Sequence, residues 1–220
     1  MALADRNIVL LPVPGGTFNH FAKTVDVVDL DAAAAAAERG DVIDVPVADL
    51  NGEAFLNTAS LGWYPAMVRT RERLRRRFPR PVAAAVAFAR HLPGLHRFDV
   101  DLEGRTYEVW LLWVGNGRFG LRADDATVRD DIAEGVLDLR LALAHQRFAR
   151  SRLMWDVVRG RLQESERFER VVTDRPVEIR LHTRTADAAL DAEVMTMTSP
   201  LTVTPCARTL RVLIPPSEVR

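Results

Sequence analysis

The chain has 220 residues, of which 48% are hydrophobic and 27% charged, as in a soluble globular protein with a sizeable core. Thirty basic residues balance thirty acidic ones, so no net charge draws the chain to nucleic acid. A single cysteine, Cys206, excludes an intramolecular disulfide and suits a reducing cytoplasm. No apolar run approaches the roughly 20 residues that cross a bilayer, and no secretory signal is evident. We therefore expect a cytoplasmic protein without a transmembrane segment and without a nucleic-acid partner.

The first forty residues predict a strand, a glycine loop and two helices. Residues 8–11 form an unbroken apolar run, typical of a strand buried on both faces, and prolines and glycines follow it. Thr17 is the expected N-cap of a short helix. Asp31 is the expected N-cap of a second helix, which covers an alanine run and ends at Gly40. This segment is therefore predicted to be a small α/β piece.

Beyond Gly40 the pattern becomes that of antiparallel strands. Residues 41–47 alternate apolar and polar side chains, and Asn51-Gly52 predicts a tight turn before a return strand at 53–57. The later predicted elements are helices at about 65–78, 82–91 and 146–162, and strands at 98–102, 107–114, 136–143, 177–181, 194–197, 201–203 and 210–214. We predict an α+β fold: the α/β piece at 1–40, a mostly antiparallel, sandwich-like β domain at 41–200, and a tail at 201–220 whose strand returns to the first piece.

Residues 14–19, with the sequence PGGTFN, are the first candidate binding segment. Glycines between a strand and a helix let backbone amides approach a ligand closely, and a helix start favours an anionic phosphate. Thr17 and Asn19 add short side chains that can hydrogen-bond phosphate or ribose oxygens. Taken alone, an ordinary strand-to-helix turn explains this loop better than a phosphate site does.

Two acidic turns are further candidates. Residues 130–135 place Asp131 and Glu134 three residues apart, and such carboxylates can converge on a divalent cation, which prefers oxygen ligands. Asp191 and Glu193 precede a predicted strand, and a carboxylate there can act as a general base toward an alcohol. Taken alone, a solvated loop and an exposed hairpin turn explain these two segments better.

Seven arginines are concentrated in one predicted helical stretch, offset by one glutamate, Glu72. They are Arg69, Arg71, Arg73, Arg75, Arg76, Arg77 and Arg80. Such a run can lie on anionic lipid headgroups, where each cation contributes roughly 1 kcal/mol, or it can be a solvated helix face. The sequence favours neither interpretation over the other.

The order of these segments resembles that of the diacylglycerol kinase catalytic-domain family, which includes bacterial lipid kinases and sphingosine kinases. Residues 11–22 resemble the family's Pro-x-Gly-Thr-x-Asn-Asp-Phe-Ala segment, with His20 where many members have Asp. Five later segments resemble further family elements in the same order: 55–62 the Phe-x-Asn-x-x-Ser-x-Gly hairpin, 114–117 the next Asn-containing strand end, 131–138 the Asp-Asp-Gly-x-Leu-Asp element, 190–193 the Asp-Gly-Glu element and 210–215 the closing strand. Glu134 and Ala192 stand where the family has Asp and Gly.

This resemblance implies an ATP-dependent lipid kinase that transfers the γ-phosphate to a diacylglycerol-like hydroxyl. It implies that the α/β piece is part of a nucleotide-binding domain of the NAD kinase and diacylglycerol kinase type, ahead of the β-rich domain. The implied nucleotide contacts are Gly16, Thr17 and Asn19, and the implied ligands of a structural Mg²⁺ are Asp131, Glu134 and Glu193. Asp191 is the implied base toward the lipid hydroxyl.

The family's Gly-Gly-Asp-Gly-Thr phosphate-binding motif does not occur in this sequence. We therefore expect a lipid kinase that is truncated at its N-terminus and peripheral to the inner face of the membrane, where its lipid substrate lies. The loss of flanking strands would expose an apolar strand edge and favour self-association, as in a homodimer. One alternative is a non-catalytic lipid- or partner-binding domain derived from this family, and another is an NAD-kinase relative.

Overall fold

A computed structural model of the chain describes residues 8–15, 19–91, 97–102, 104–120, 129, 131–144 and 168–216. The helices within these ranges are α1 (His20–Thr24), α2 (Leu30–Arg39), α3 (Trp63–Leu74) and α4 (Arg80–His91). The strands are β1 (Val9–Leu10), β2 (Asp41–Leu50), β3 (Glu53–Phe55), β4 (Thr58–Gly62), β5 (Phe98–Leu102), β6 (Arg105–Asn116), β7 (Leu137–Leu143), β8 (Phe168–Thr173), β9 (Val177–Leu181), β10 (Thr185–Leu190), β11 (Glu193–Thr198) and β12 (Leu201–Ile214). The helix predicted at 146–162 lies outside the described residues. None of the described helices has the length and apolar character needed to span a membrane.

The strands form one connected sheet. Its order is β11-β10-β4-β6-β5-β9-β12-β2-β3, with β7 and β8 continuing from β6 and with β1 beside β12. β1 pairs with β12 in parallel, and the other pairings between the described strands are antiparallel. The predicted α+β, mostly antiparallel architecture is therefore confirmed. The predicted turn is also present, because Asn51 and Gly52 have φ angles of 52° and 86°, as two-residue hairpin turns require.

The tail strand β12 joins two parts of the sheet. Its first residues pair with β9, and its later residues pair with β2 and, at Arg211 and Val212, with β1. The two strands predicted at 201–203 and 210–214 are thus one strand. Its register shifts between Thr204 and Arg208, a β-bulge in which Cys206 has a φ of 48°. The bulge hid the continuity of the strand, because two extra residues between Thr204 and Arg208 interrupt the alternation of buried and exposed side chains.

Two buried apolar clusters stabilise the fold. The larger lies on the antiparallel strands, with fully buried Leu112, Leu139 and Ile179 among its members. The smaller packs α1 and α2 against β2 and β12, and its members include Val27 and Val45. Because β12 contributes side chains to both clusters, the tail strand couples the α/β piece to the β-rich part.

The apolar strand edge at the front of the chain is exposed. Ile8, Val9 and Val13 are all exposed, and among the described strands β1 pairs with β12 alone. Exposed apolar side chains on a strand edge favour pairing with another chain. Self-association through this edge stays a prediction.

Several local features differ from the sequence expectations. The N-cap of α1 is Asn19 and not the predicted Thr17, because the helix begins only at His20. The N-cap of α2 is Asp29 and not Asp31, because the Asp29 carboxylate accepts a hydrogen bond from the Ala32 N–H (2.8 Å). Asp31 lies in the first helical turn, where a negative charge still interacts favourably with the helix dipole. The strand ranges predicted from alternation include neither β8 nor β10, and they do not include β4, since the predicted return strand at 53–57 ends before it. β10 is rich in alanine, and its pairing with β4 and β11 overrides that local preference.

Candidate functional site

The register of the sheet brings several strand ends to one edge. β4 begins at Thr58, opposite the end of β6, and its next residue, Ala59, pairs with Leu190 at the end of β10. Asn116, the last residue of β6, pairs on its other side with the first residue of β7. The turns that adjoin these strand ends, at 56–57, 131–136 and 191–192, form what we call the polar edge.

The carboxylate of Asp191 is held by three backbone amides of the turn between β3 and β4. Its Oδ2 accepts a hydrogen bond from the N–H of Leu56 (2.6 Å), and its Oδ1 accepts from Asn57 (2.8 Å) and Thr58 (3.0 Å). The Asp191 N–H donates in return to the Thr58 carbonyl oxygen (2.8 Å). A carboxylate has about four acceptor positions, and donors from the described residues fill three, which leaves one on Oδ2 for a further donor such as a hydroxyl.

The turn that presents Asp191 is strained at its second residue. Asp191 and Ala192 have φ angles of 46° and 73°, so both lie in the left-handed region. Asp tolerates this conformation, whereas the Cβ of an alanine raises its energy by roughly 1–2 kcal/mol. Alanine instead of the family's glycine at 192 therefore carries a conformational cost, as the sign of φ shows.

Asn116 is the buried centre of the polar edge. Its side chain is fully buried, and its Nδ2 donates to the carbonyl oxygens of Pro46 (2.9 Å) and Leu56 (3.0 Å). Its backbone N–H donates to the Asn57 carbonyl oxygen (2.9 Å). Asn116 belongs to the family-like segment 114–117, but no role for it was predicted.

A second buried residue, Arg129, contacts the same turn. Its Nη2 donates to the carbonyl oxygen of Leu56, and its aliphatic stem lies close to Gly117, where a Cβ would be 2.9 Å from Cδ. Burial lowers the pKa of Arg129 to about 10, although the nearby Asp191 carboxylate acts in the opposite direction. At that pKa the guanidinium stays charged at neutral pH, so it supplies a positive charge near Asp191.

The predicted magnesium ligands lie at or near the polar edge, but their side chains do not contact a common partner. Glu134 pairs with Arg118 (2.7 Å), and the Asp131 carboxylate accepts from the Ala133 N–H (2.8 Å). Glu193 begins β11, exposed and directly across from Leu190. Within the part of the chain that the structure describes, no three His, Cys, Asp or Glu side chains converge on a cation site. The described donors therefore do not fit a structural Mg²⁺.

The predicted nucleotide segment is described only in part. Gly16 and Thr17 lie outside the described residues, whereas Asn19 is described and has a left-handed conformation (φ 50°, ψ 36°) just before α1. Three side chains from different candidate segments pack against the smaller apolar cluster: Phe21 of α1, Leu56 of the Asp191-binding turn and Ile132 of the acidic turn. The fold thus gathers these segments around one core.

A buried charge network lies at the start of β7. Asp138 is fully buried, and both of its oxygens accept hydrogen bonds from Arg170 (2.8 and 2.9 Å), while Arg140 donates to Oδ2 (2.8 Å). The Arg140 guanidinium also lies 5.0 Å from the ring centre of Trp113, within cation–π range. Burial alone would raise the pKa of Asp138, but the hydrogen bonds and charges of Arg170 and Arg140 outweigh burial and lower it. Asp138 therefore stays ionised and cross-links β7 to β8.

The predicted arginine run lies at the opposite end of β4, on α3 and the turn into α4. Arg69 forms an ion pair with Asp187 at the start of β10 (2.6 Å). Arg71 and Arg75 both pair with Glu72 (3.2 and 2.9 Å). These pairs lie at the surface, with side chains 18–45% exposed, and surface pairs contribute about 0–1 kcal/mol each.

The other described arginine side chains of this run are exposed, and exposed apolar side chains follow them along the chain. Arg73, Arg76 and Arg77 are exposed and have no ion-pair partner among the described residues, whereas the side chain of Arg80 lies outside them. The side chains of Phe78, Val82 and Val86, which come next in the sequence, are 46%, 44% and 40% exposed. We call these six residues the arginine corner: Arg73, Arg76, Arg77, Phe78, Val82 and Val86.

Comparison with solved structures identifies the fold. A proposed diacylglycerol kinase from Bacillus anthracis superposes with a TM-score of 0.67 at 20% identity, over 99% of this chain and 73% of that one. The chain has a diacylglycerol kinase-like fold. A diacylglycerol kinase from the same organism gives a TM-score of 0.60 at 19% identity, over 99% and 71% of the two chains. A further proposed diacylglycerol kinase from that organism superposes with a TM-score of 0.66 at 19% identity, over 96% of this chain and 72% of the other. No protein-family model and no curated protein sequence matches the chain.

Proposed function

We propose that this chain acts as an ATP-dependent lipid kinase that phosphorylates a diacylglycerol-like hydroxyl, with Asp191 as the general base. The fold supports the proposal, since nearly the whole chain superposes on two structures described as a proposed diacylglycerol kinase and a diacylglycerol kinase. The observation that carries it is the position of Asp191, an exposed carboxylate fixed at a strand-end turn by three amides. A fixed carboxylate with one acceptor position left is suited to receive a hydroxyl proton.

The reaction that follows from this arrangement is an in-line phosphoryl transfer. Asp191 Oδ2 accepts the proton of the lipid hydroxyl as the hydroxyl oxygen forms a bond to the γ-phosphorus. The bond between the γ-phosphorus and the bridging oxygen breaks, and ADP leaves with that oxygen. Phosphoryl transfer depends chiefly on positioning and on stabilisation of charge. The three amides, which fix the Asp191 carboxylate, contribute the first of these.

The nucleotide is proposed to lie against Gly16, Thr17 and Asn19, following the resemblance of segment 11–22 to the family. Of these, Asn19 adjoins α1, whose Phe21 shares the smaller apolar cluster with Leu56 of the Asp191-binding turn. Mg²⁺ enters this proposal as the counter-ion of the substrate ATP. No step is assigned to a structural Mg²⁺, because the described acidic side chains do not converge.

The second part of the proposal concerns the membrane. A lipid kinase has to reach a substrate that lies in a bilayer. The arginine corner combines exposed apolar side chains with cations that have no ion-pair partner within the described ranges. Cations attract anionic headgroups, and apolar side chains insert at the boundary with the acyl chains. We propose that this corner places the protein on an anionic membrane surface.

The test of the catalytic proposal is transfer of labelled phosphate from ATP to lipids in mixed micelles. The wild-type chain, Asp191→Asn and Asp187→Asn are compared with magnesium present and diacylglycerol among the lipids. We expect diacylglycerol phosphorylation by the wild-type chain and a fall of roughly 10²–10⁴-fold in Asp191→Asn, the usual contribution of a general base. Asp187→Asn alters a carboxylate in the first half of β10, the strand that ends just before Asp191, and should stay close to wild type.

Circular dichroism and thermal unfolding decide whether a loss of transfer reflects chemistry or folding. Asp191→Asn should keep a cooperative transition, because an Asn oxygen can still accept hydrogen bonds from the turn. Folded wild-type protein that transfers no phosphate to any lipid, yet binds lipid vesicles, would contradict the kinase proposal. It would favour the alternative of a non-catalytic lipid-binding domain.

A further inference from the structure

The turn that holds Asp191 is itself held from its opposite side. A peptide unit is planar, and its C=O and N–H point in opposite directions. In the unit between Leu56 and Asn57, the N–H donates to Asp191 Oδ1 (2.8 Å), and the C=O accepts from Asn116 Nδ2 (3.0 Å). In the next unit, the Thr58 N–H donates to Asp191 (3.0 Å), and the Asn57 C=O accepts from the Asn116 backbone N–H (2.9 Å). Two successive peptide units therefore connect Asn116 with Asp191.

The geometry of Asn116 suits it to fix this turn. The side chain is fully buried, so no solvent competes for its two Nδ2 hydrogens. One bond reaches Leu56 and the other reaches Pro46 of β2 (2.9 Å), so the amide ties the turn to a neighbouring strand of the sheet. Hydrogen bonds in a low-dielectric interior also polarise one another along a chain. A donor on the C=O side of a peptide unit thus strengthens the N–H that the unit offers to Asp191.

Arg129 supports the same carbonyl. Its guanidinium donates to the Leu56 oxygen, which thus accepts from two buried side chains on the side away from Asp191. Asn116 and Arg129 come from different segments, 114–117 and 129, and neither hydrogen-bonds to the Asp191 carboxylate. Their common target is the turn.

We propose that Asn116 is a positioning residue for Asp191, acting through the peptide units 56–57 and 57–58. Its amide orients these units so that their N–H groups meet the carboxylate. The expected effect on catalysis rests on the proposed function. The expected effect on the order of the turn is independent of the proposed function.

Amide hydrogen exchange resolved by NMR tests the structural consequence. Asn116→Ala is compared with the wild-type chain and with Asn51→Gly as a matched control. Asn51 Nδ2 likewise donates to two carbonyls, of Thr198 and Pro200 (3.1 and 3.3 Å), and Gly tolerates its positive φ. We expect exchange at Leu56, Asn57 and Thr58 to accelerate at least about tenfold in Asn116→Ala and to stay unchanged in Asn51→Gly.

Two results would overturn the inference. One is unchanged exchange at Leu56, Asn57 and Thr58 in Asn116→Ala. The other is an equal acceleration throughout β4 and β6, which would mean a general loss of stability. If Asn116→Ala does not fold, Asn116→Ser, which keeps one hydroxyl donor on a shorter side chain, replaces it with the same expectation.

Kinetics test the catalytic consequence. We expect kcat for lipid phosphorylation to fall by about 10–100-fold in Asn116→Ala with KM for ATP unchanged, because a misplaced base affects the transition state and not nucleotide binding. Asn51→Gly should change neither constant. An unchanged kcat beside a measurable wild-type rate would contradict the catalytic role. A wild-type chain without any transfer would count against the proposed function, and hydrogen exchange would still decide whether Asn116 orders the turn.

Discussion

The two ends of β4 differ in burial and in hydrogen bonding. At its start lies the polar edge, where short, directed hydrogen bonds hold the Asp191 carboxylate and the Nδ2 of fully buried Asn116. At its other end α3 begins and leads to the arginine corner, where exposed Arg73 and Phe78 contact water. The five residues of β4 separate the two ends by roughly 13 Å.

Under the proposed function, this difference corresponds to a division of roles. Fixed geometry is what phosphoryl transfer requires, since misplacement of a catalytic group by about 1 Å can reduce the rate 100-fold. An exposed surface of cations and apolar side chains suits a lipid bilayer, because binding to a bilayer does not require fixed side-chain positions. A substitution at the polar edge should therefore affect stability and chemistry, whereas one at the arginine corner should affect membrane binding alone.

The largest expected effect on stability is that of Asp138→Asn, next to the polar edge. The substitution leaves Arg140 and Arg170 without their buried counter-ion, and removing one partner of such a pair costs about 3–5 kcal/mol. Urea denaturation measures the loss. The exposed pair of Arg97 and Glu108 (3.1 Å) provides the control, since Glu108→Gln should cost no more than about 1 kcal/mol. Equal losses in the two variants would contradict the distinction between buried and exposed pairs.

The same network makes stability depend on pH. The pKa of Asp138 is below its usual 3.8 in the folded chain, mainly because Arg170 and Arg140 outweigh the effect of burial. The unfolded chain thus takes up the proton more readily, so this stabilisation is complete above the unfolded pKa and is lost as the pH falls through the folded pKa. Denaturation at pH values between 7 and 3 should show the difference between wild type and Asp138→Asn shrinking below about pH 4. If the stability difference between the two proteins grew on acidification, the direction assigned to the Asp138 pKa shift would be wrong.

A triple substitution of Arg73, Arg76 and Arg77 by Gln addresses the arginine corner. Each arginine near an anionic surface contributes about 1 kcal/mol, so the triple variant should bind anionic vesicles roughly 100-fold more weakly. Co-sedimentation with phosphatidylglycerol vesicles measures this binding, and phosphatidylcholine vesicles are the control. The melting temperature should stay within a few degrees of wild type, because these side chains have no ion-pair partner among the described residues. Unchanged binding to anionic vesicles would contradict the assignment of the corner.

The smallest expected effect is a gain at the polar edge. Ala192→Gly removes the strain of a Cβ at a φ of 73°, although the unfolded chain becomes more flexible. We expect a net stabilisation of up to about 1 kcal/mol, seen as a higher urea midpoint. Ala189→Gly, in a buried position of β10, should be destabilising and serves as the opposite control. Destabilisation by Ala192→Gly would mean that the turn is unstrained.

The sequence predicted local elements better than it predicted the site. The Asn51-Gly52 turn and most strands follow from alternation and turn chemistry, which are local properties. The three amides around Asp191 could not be predicted, because residues 56–58 and 191 are brought together only by the register of β4 against β10. The importance of Asn116 depends likewise on its burial against a distant turn. Arg129 gave no signal at all, since a single arginine in a polar segment has no pattern.

The central claim, that the polar edge performs the chemistry and the arginine corner the docking, is tested most directly by one assay on two substrates. Phosphate transfer to diacylglycerol is measured in detergent micelles and in phosphatidylglycerol vesicles for wild type, Asp191→Asn and the triple arginine variant. We expect Asp191→Asn to lose activity on both substrates, and the triple variant to lose it on vesicles while it stays near wild type in micelles. Wild-type rates for Asp191→Asn, or equal losses of the triple variant on both substrates, would contradict the account.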